Sequence, residues 1–237
     1  MPHCKEEPMT YCIADIHGEY ELFMRLLDSI HYADSDRLIV CGDLIDKGNA
    51  SVKLMQTVFA MPNVSCIKGN HEYDFFKFYR TRMHSAIMDF YAILWHLQQY
   101  FPGDGALLDW ETVQTLTQLP FYIEEDKFIC VHAGLPMDTN GSVVSPEEAT
   151  YEEMVYDRSF KEPDVLPKDS KCVIFGHTPT TYLRHEPKIL KYPRRDVASD
   201  SPDISDYCKV HLDTGVFLNG VLGCFRVDDC RSFYISK

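Results

Sequence analysis

The chain has 237 residues, 45% hydrophobic and 25% charged, the composition of a globular protein able to bury a substantial core. Its 23 basic and 36 acidic residues leave a net charge of −13, which argues against a surface that embraces the phosphate backbone of a nucleic-acid duplex. No run of about 18 apolar residues occurs, residues 1–8 lack a signal-peptide core, and the nine cysteines form no Cys-x-x-Cys pair, so a reduced, cytoplasmic protein without a membrane span is expected.

Tyr11–Ala14 reads as a buried strand that runs into Asp15-Ile16-His17-Gly18. Leu22, Phe23, Leu26, Leu27 and Ile30 then mark a helix over 19–30. Arg37–Cys41 is a second strand, and Gly42 lets the backbone turn sharply so that Asp43 projects from its carboxyl end. A helix over about 49–60 ends at Pro62-Asn63, and a third strand from Val64 runs into Gly69-Asn70-His71-Glu72. Strand, helix, strand, helix, strand, with a polar residue at each strand's end, is βαβ architecture with a crevice at the carboxyl edge.

From Tyr73 to Leu119 the chain turns helical and aromatic, with Ile87, Phe90, Tyr91, Leu94 and Leu97 at helical spacing. This stretch is expected to be a helical insertion packed on a single domain spanning 1–237, with Tyr73, Asp74, Phe75 and Phe76 placed to line a cleft. Phe121–Glu124 and Phe128–His132 pair as strands, the second ending in His132-Ala133-Gly134. Ser145-Pro146-Glu147-Glu148 has a helix start's N-cap, first-turn proline and acids. Cys172–Phe175 is a strand leading into Gly176-His177-Thr178-Pro179. Lys188–Tyr192, Lys209–Leu212, Val221–Val227 and Ser232–Ser236 are expected to be strands of a second sheet, around a polar surface loop at 193–207. Cys12, Cys41, Cys66, Cys130, Cys172 and Cys224 lie in apolar runs and read as small buried hydrophobes.

Strand ends that deliver Asp, His, Asp, Asn and His to one edge describe a metal site. Imidazole nitrogen with carboxylate and amide oxygen suits Mn foremost, and Fe, Zn or Co as well. With His17, His132 and His177 and few acids, two divalent ions are the economical arrangement, with Asp43 best placed to bridge them. Such a pair shares a hydroxide, lowers its pKa and holds it for in-line attack on phosphorus.

Asp15-x-His17-Gly18, Gly42-Asp43-x-x-Asp46-x-Gly48, Gly69-Asn70-His71-Glu72, His132-Ala133-Gly134 and Gly176-His177-Thr178-Pro179 together resemble the phosphoprotein-phosphatase branch of the calcineurin-like metallophosphoesterases. The resemblance implies an α/β fold, a four-layer sandwich with two central mixed β-sheets. It implies one metal on Asp15, His17 and Asp43, and a second on Asp43, Asn70, His132 and His177. It makes His71 the acid that protonates the leaving oxygen and Asp46 the carboxylate that orients it. Asn70, Lys47 and Arg158 would meet the substrate phosphate, Lys47 standing where the family usually has arginine. Glu72 suits either a support beneath the site or a helix-start acid favoured by the dipole, and Asp213 a structural or supporting role. The implied activity is hydrolysis of phosphomonoesters, foremost phosphoserine or phosphothreonine in proteins, as in compact bacterial and phage phosphatases. Hydrolysis of dinucleoside polyphosphates is the alternative, and a catalytically weakened phosphoprotein scaffold a third.

Overall fold

The computed structural model describes residues 7–83, 90–168, 170–194 and 202–237. Ile87 of the aromatic stripe and positions 195–201 of the expected polar loop lie outside the described residues. The first half of the chain forms β1 (Thr10–Ile13), α1 (Tyr20–Ser29), β2 (Arg37–Val40), α2 (Ser51–Ala60), β3 (Val64–Cys66), α3 (Asn70–Met83), α4 (Phe90–Gln98) and α5 (Trp110–Gln118). The second half forms β4 (Tyr122–Glu124), β5 (Phe128–Val131), α6 (Tyr151–Tyr156), β6 (Cys172–Phe175), α7 (Thr181–Arg184), β7 (Leu190–Pro193), β8 (Tyr207–His211), α8 (Val216–Asn219), β9 (Val221–Arg226) and β10 (Arg231–Ser236).

The strands make two five-stranded mixed sheets, ordered β10-β9-β1-β2-β3 and β4-β5-β6-β8-β7. Parallel pairs, β1 with β2 and β2 with β3, then β5 with β6 and β6 with β8, carry the polar strand ends. One expectation is corrected here. β9 and β10 do not join the second sheet; β9 pairs antiparallel with β1 (Ile13 opposite Cys224) and β10 pairs with β9. Alternation marks a strand with two unlike faces but says nothing of which strand it pairs with.

Period-two alternation builds the layers. Tyr11, Ile13, Leu38 and Val40 face outward onto Leu22, Phe23 and Leu26 of α1 and Val52, Met55 and Val58 of α2. Their neighbours Cys12, Ala14, Ile39 and Cys41 face the other sheet, where they meet Cys130, Cys172, Ile174 and Val210. Ile129, Val131, Val173 and Phe175 face outward again, onto Met154 and Val155 of α6. This is the four-layer α/β sandwich. The buried thiols are free, and Cys12, Cys41, Cys130 and Cys172 are small side chains placed where the two sheets approach.

Phe75 of α3, Leu97 of α4 and Val113 and Leu116 of α5 belong to the same apolar cluster as α1 and α2. Phe75 therefore does not line a cleft; it is fully buried, with its ring centroid 5.1 Å from Tyr100 and 5.5 Å from Phe101. On α4, Leu97 is buried whereas Tyr91 is 80% exposed. The helix expected at Ser145 starts instead at Tyr151. Ser145 O accepts from the N–H groups of Glu148 (3.0 Å) and Ala149 (3.1 Å) in a turn, and Thr150 is the N-cap. The Thr150 hydroxyl accepts from Glu153 N–H at 3.2 Å and the Glu153 carboxylate accepts from Thr150 N–H at 2.8 Å. Both segments have Ser/Thr-x-x-Glu spacing. The first closes as a single turn, whereas the second continues into α6, whose Met154 and Val155 pack onto the sheet.

Candidate functional site

The site gathers where strands end. Asp15 and His17 follow β1, Asp43, Asp46 and Lys47 follow β2, His132 follows β5 and His177 follows β6. Asn70 and His71 form the first turn of α3 rather than a loop. Asp15, His17, Asp43, Asp46, Lys47 and His177 have φ between +50° and +71°, six of the ten non-glycine residues with positive φ among those described. Left-handed backbone at residues with a Cβ costs energy and persists where surrounding contacts enforce it. Gly42, at φ +85°, supplies the sharp turn, and its bareness is also required: a Cβ there would sit 2.6 Å from Gly69 N and 2.7 Å from His132 Nδ1.

Asp43 is the centre. Its Oδ2 lies 3.6 Å from His17 Nε2, 3.4 Å from His132 Nε2 and 3.9 Å from His71 Nε2. Asp15 Oδ1 is 4.0 Å from His17 Nε2. Asn70 Oδ1 is 3.1 Å from His132 Nε2 and 2.9 Å from His177 Nδ1. Two clusters result, His17 with Asp43 and His71, and Asp43 with His132 and His177. Ligand atoms spaced about 3.0–3.4 Å apart are what metal–ligand bonds of about 2.1 Å require.

The tautomers suit metal binding. His17 Nδ1–H donates to Ile45 O at 3.0 Å and His132 Nδ1–H donates to Cys41 O at 2.9 Å, so both Nε2 atoms face the site. Lys47 Nζ donates to His17 Nε2 at 2.7 Å, which shows that this lone pair already faces a position that takes positive charge. Burial keeps His17 neutral, its pKa pulled down to about 4, and likewise His177, down to about 3. Burial would also pull His132 down, but the Asp43 charge and hydrogen bond lift it to about 10, while burial's upward push on Asp43 is outweighed by His132 and His17. That pair holds a proton which a divalent ion would displace. The His/Asp cluster thus fits divalent metal.

His71 differs from the other imidazoles in its partner and its exposure. Its Nδ1 is 2.6 Å from Asp46 Oδ2, and its side chain is 22% exposed against 4% for His17 and none for His132. Burial lowers its pKa, but the Asp46 hydrogen bond and the Asp43 charge more than offset this, so the net shift is upward. A cleft of about 280 Å³ opens at His17 and His177, lined also by Lys47, Arg158, Tyr182, Asp213 and Phe217 among others. Arg158 is therefore placed at the cleft although it comes from the chain after α6. Asp213 is buried, accepts from Gly215 N–H at 2.8 Å, and is pushed by burial up to about 6.

Two buried supports hold the site, Glu72, for which the sequence left a supporting role and a helix-start acid both open, and Lys209, which the sequence did not single out. Glu72 is fully buried, and its carboxylate accepts from the N–H groups of Asp43 (2.8 Å), Leu44 (2.8 Å), Ile45 (3.2 Å) and Gly69 (2.7 Å). Its place directly after His71 was the available signal, and the structure makes it the clamp on the Asp43 loop while it also lies in the first turn of α3. Lys209 on β8 is equally buried, and its Nζ donates to Phe160 O at 2.6 Å and Glu162 O at 2.7 Å. Alternation alone would give it a buried face, but a lysine there gives no sequence signal of its partners.

Comparison with known proteins follows this geometry. Residues 9–211 match the calcineurin-like phosphoesterase family. A symmetrical bis(5'-nucleosyl)-tetraphosphatase of Erwinia tasmaniensis is 31% identical over 130 residues, 53% of this chain and 44% of that protein, so the match spans less than half of the relative. A protein of the same name from Buchnera aphidicola subsp. Baizongia pistaciae is 23% identical over 275 residues, covering 94% of this chain and 96% of the relative. A crystal structure described as a candidate diadenosine tetraphosphatase superposes with a TM-score of 0.69 at 16% identity, over all of this chain and 96% of the other, a likeness of fold. Among the described residues no helix is long and apolar enough to cross a membrane. The fold, the His/Asp cluster and the match over most of its length make this chain a member of the calcineurin-like phosphoesterases, metal-dependent hydrolases of phosphoesters.

Proposed function

We propose that the chain is a two-metal phosphoesterase that cleaves dinucleoside polyphosphates, with Asp15, His17 and Asp43 holding one ion, Asp43, Asn70, His132 and His177 the other, and Mn²⁺ the working metal. The ions supply Lewis-acid neutralisation of phosphoryl charge and a water of lowered pKa. The chain's own residues do the rest. Lys47 and Arg158 donate to phosphoryl oxygens, and Asn70 carries a side-chain N–H group near the same position. Water loses a proton to solvent as it adds to phosphorus, the bond to the leaving oxygen breaks, and His71 Nε2–H gives that oxygen its proton. Asp46 fixes the ring through Nδ1 and stabilises the imidazolium before transfer. The observation that carries phosphoester hydrolysis, whichever phosphoester is cleaved, is the 2.6 Å Asp46–His71 pair, beside the ligand cluster and more exposed than it.

The substrate class is supported by the names of the relatives above and by the cleft. Tyr182 is 65% exposed and Phe217 51% exposed, so flat apolar surface suited to a nucleobase lies beside two cations suited to phosphate. A second reading, phosphoserine or phosphothreonine in proteins, is favoured by the same Asp46–His71 pair. An alkoxide leaving group needs a proton more than a phosphate leaving group does, so a well-held acid is of more use to a phosphomonoesterase. The test strips the protein with chelator, restores Mn²⁺ and compares diadenosine tetraphosphate with a phosphothreonine peptide, using an aryl phosphate as control. Metal-dependent cleavage of the dinucleotide is expected. Phosphate release from the peptide alone would move the function to protein dephosphorylation. No turnover on any of the three would leave the scaffold reading.

A further inference from the structure

The segment after α6 carries an exposed arginine two residues before a phenylalanine that is 1% exposed. Phe160 is held from two sides. Its ring stands edge-on to Phe175 with centroids 5.1 Å apart, and its side chain lies so close to Gly134 that a Cβ on that glycine would be 2.4 Å from Phe160 Cβ. Gly134 is two residues from His132, and Phe175 two residues from His177. From below, the Lys209 ammonium donates to the carbonyls of Phe160 and Glu162 and lies 4.6 Å from the Tyr192 ring centroid and 5.1 Å from that of Phe160. Above the buried phenylalanine, the Asp157 carboxylate accepts from Ser159 N–H at 2.9 Å and from its hydroxyl at 2.6 Å, closing the turn on which Arg158 sits.

An ammonium group taken wholly out of water is costly, and here two carbonyls of one surface segment and a ring of aromatic faces compensate it. An apolar side chain would fill the same space without that cost but would hold no carbonyl. The lysine's gain is therefore positional: it ties the segment to β8, whose Lys209 is the register partner of Val173 on β6, the strand that delivers His177. The guanidinium of Arg158 and the imidazoles of His132 and His177 are thereby referred to one sheet.

We infer that Lys209 is a positioning residue that holds Arg158, by way of Phe160, at the distance from the metal ligands where it clamps a substrate phosphate. The inference rests on the reading of Arg158 as a phosphate clamp but not on which phosphoester is the substrate.

The experiment is a double-mutant cycle on the Mn²⁺-loaded full chain, with Lys209→Met, Arg158→Ala and the pair. It reads calorimetric Kd for inorganic phosphate together with KM and kcat on an aryl phosphate. Lys209→Met should weaken phosphate binding and raise KM by about tenfold with kcat within about twofold, and the double variant should be no worse than Arg158→Ala alone. Losses that multiply in the double variant, or a lowered Tm with unchanged Kd and KM, would overturn the role of Lys209 while leaving Arg158 in place. Unchanged phosphate binding in Arg158→Ala would overturn the clamp and its positioner together. Should Lys209→Met fail to fold, Phe160→Leu loosens the other end of the same tether, and the cycle is read in the same way.

Discussion

The first sheet brings Asp15, His17, Asp43, Asn70 and His71 to the site from one continuous βαβαβ run, while the second brings His132 and His177 across the sandwich. The first half is local. Its loops are tied to each other by His17 N–H donating to Asp43 O at 2.9 Å and by Asp15 N–H donating to Gly42 O at 3.1 Å. The second half is imported, and it meets the first at Asp43 and Asn70 and where His177 N–H donates to the Asp15 carboxylate at 3.0 Å. A site divided in this way is only as well formed as the packing between sheets, which explains why His132 is anchored on a carbonyl of the opposite sheet's Cys41.

Asp43→Asn strikes the joint between the halves and should have the largest effect. Both ions should be lost or weakened and kcat should fall by at least about a thousandfold, read from metal content after dialysis and from turnover. His71→Asn leaves the joint intact. It should keep both metals while lowering kcat by about 10²–10⁴-fold, and wild-type turnover in that variant would remove His71 from its role. His17→Ala and His177→Ala sharpen the comparison itself. Each should drop metal content to about one ion per chain, since each removes a donor from one cluster only. Loss of both ions in either variant would mean that the two halves bind as one unit.

Asp46→Asn should have the smallest effect on turnover, about tenfold, with a shift in pH profile as its signature. The acid works protonated, so activity persists through the raised His71 pKa and falls as pH rises above it. Removing the Asp46 charge lowers that pKa, and the basic limb should move to lower pH. A basic limb that stays in place would show that another group controls it.

Much of the site could be read in the sequence because its geometry is short-range. Asp-x-His-Gly and Gly-Asp-x-x-Asp place their side chains by the turn they make at a strand's end, and the structure puts Asp15, His17, Asp43 and Asp46 where that turn sends them. Asn70 and His71 reach the same edge from a helix's first turn, which satisfies the same spacing by different local structure. Glu72 was harder to read, because its role is defined by four N–H groups, three of them on another strand's loop.

By itself, then, the sequence determined the strands and helices of the βαβαβ run, most of the later strands, and which side chains arrive at the carboxyl edge. Hydrophobic period and turn chemistry are local properties. Only the tertiary structure decided that β9 and β10 close the first sheet, that α6 is capped by Thr150 and not by Ser145, and that Lys209 reaches the carbonyls of Phe160 and Glu162. An alternating pattern states that a face will be buried, and the partner it is buried against is chosen by the whole chain's packing.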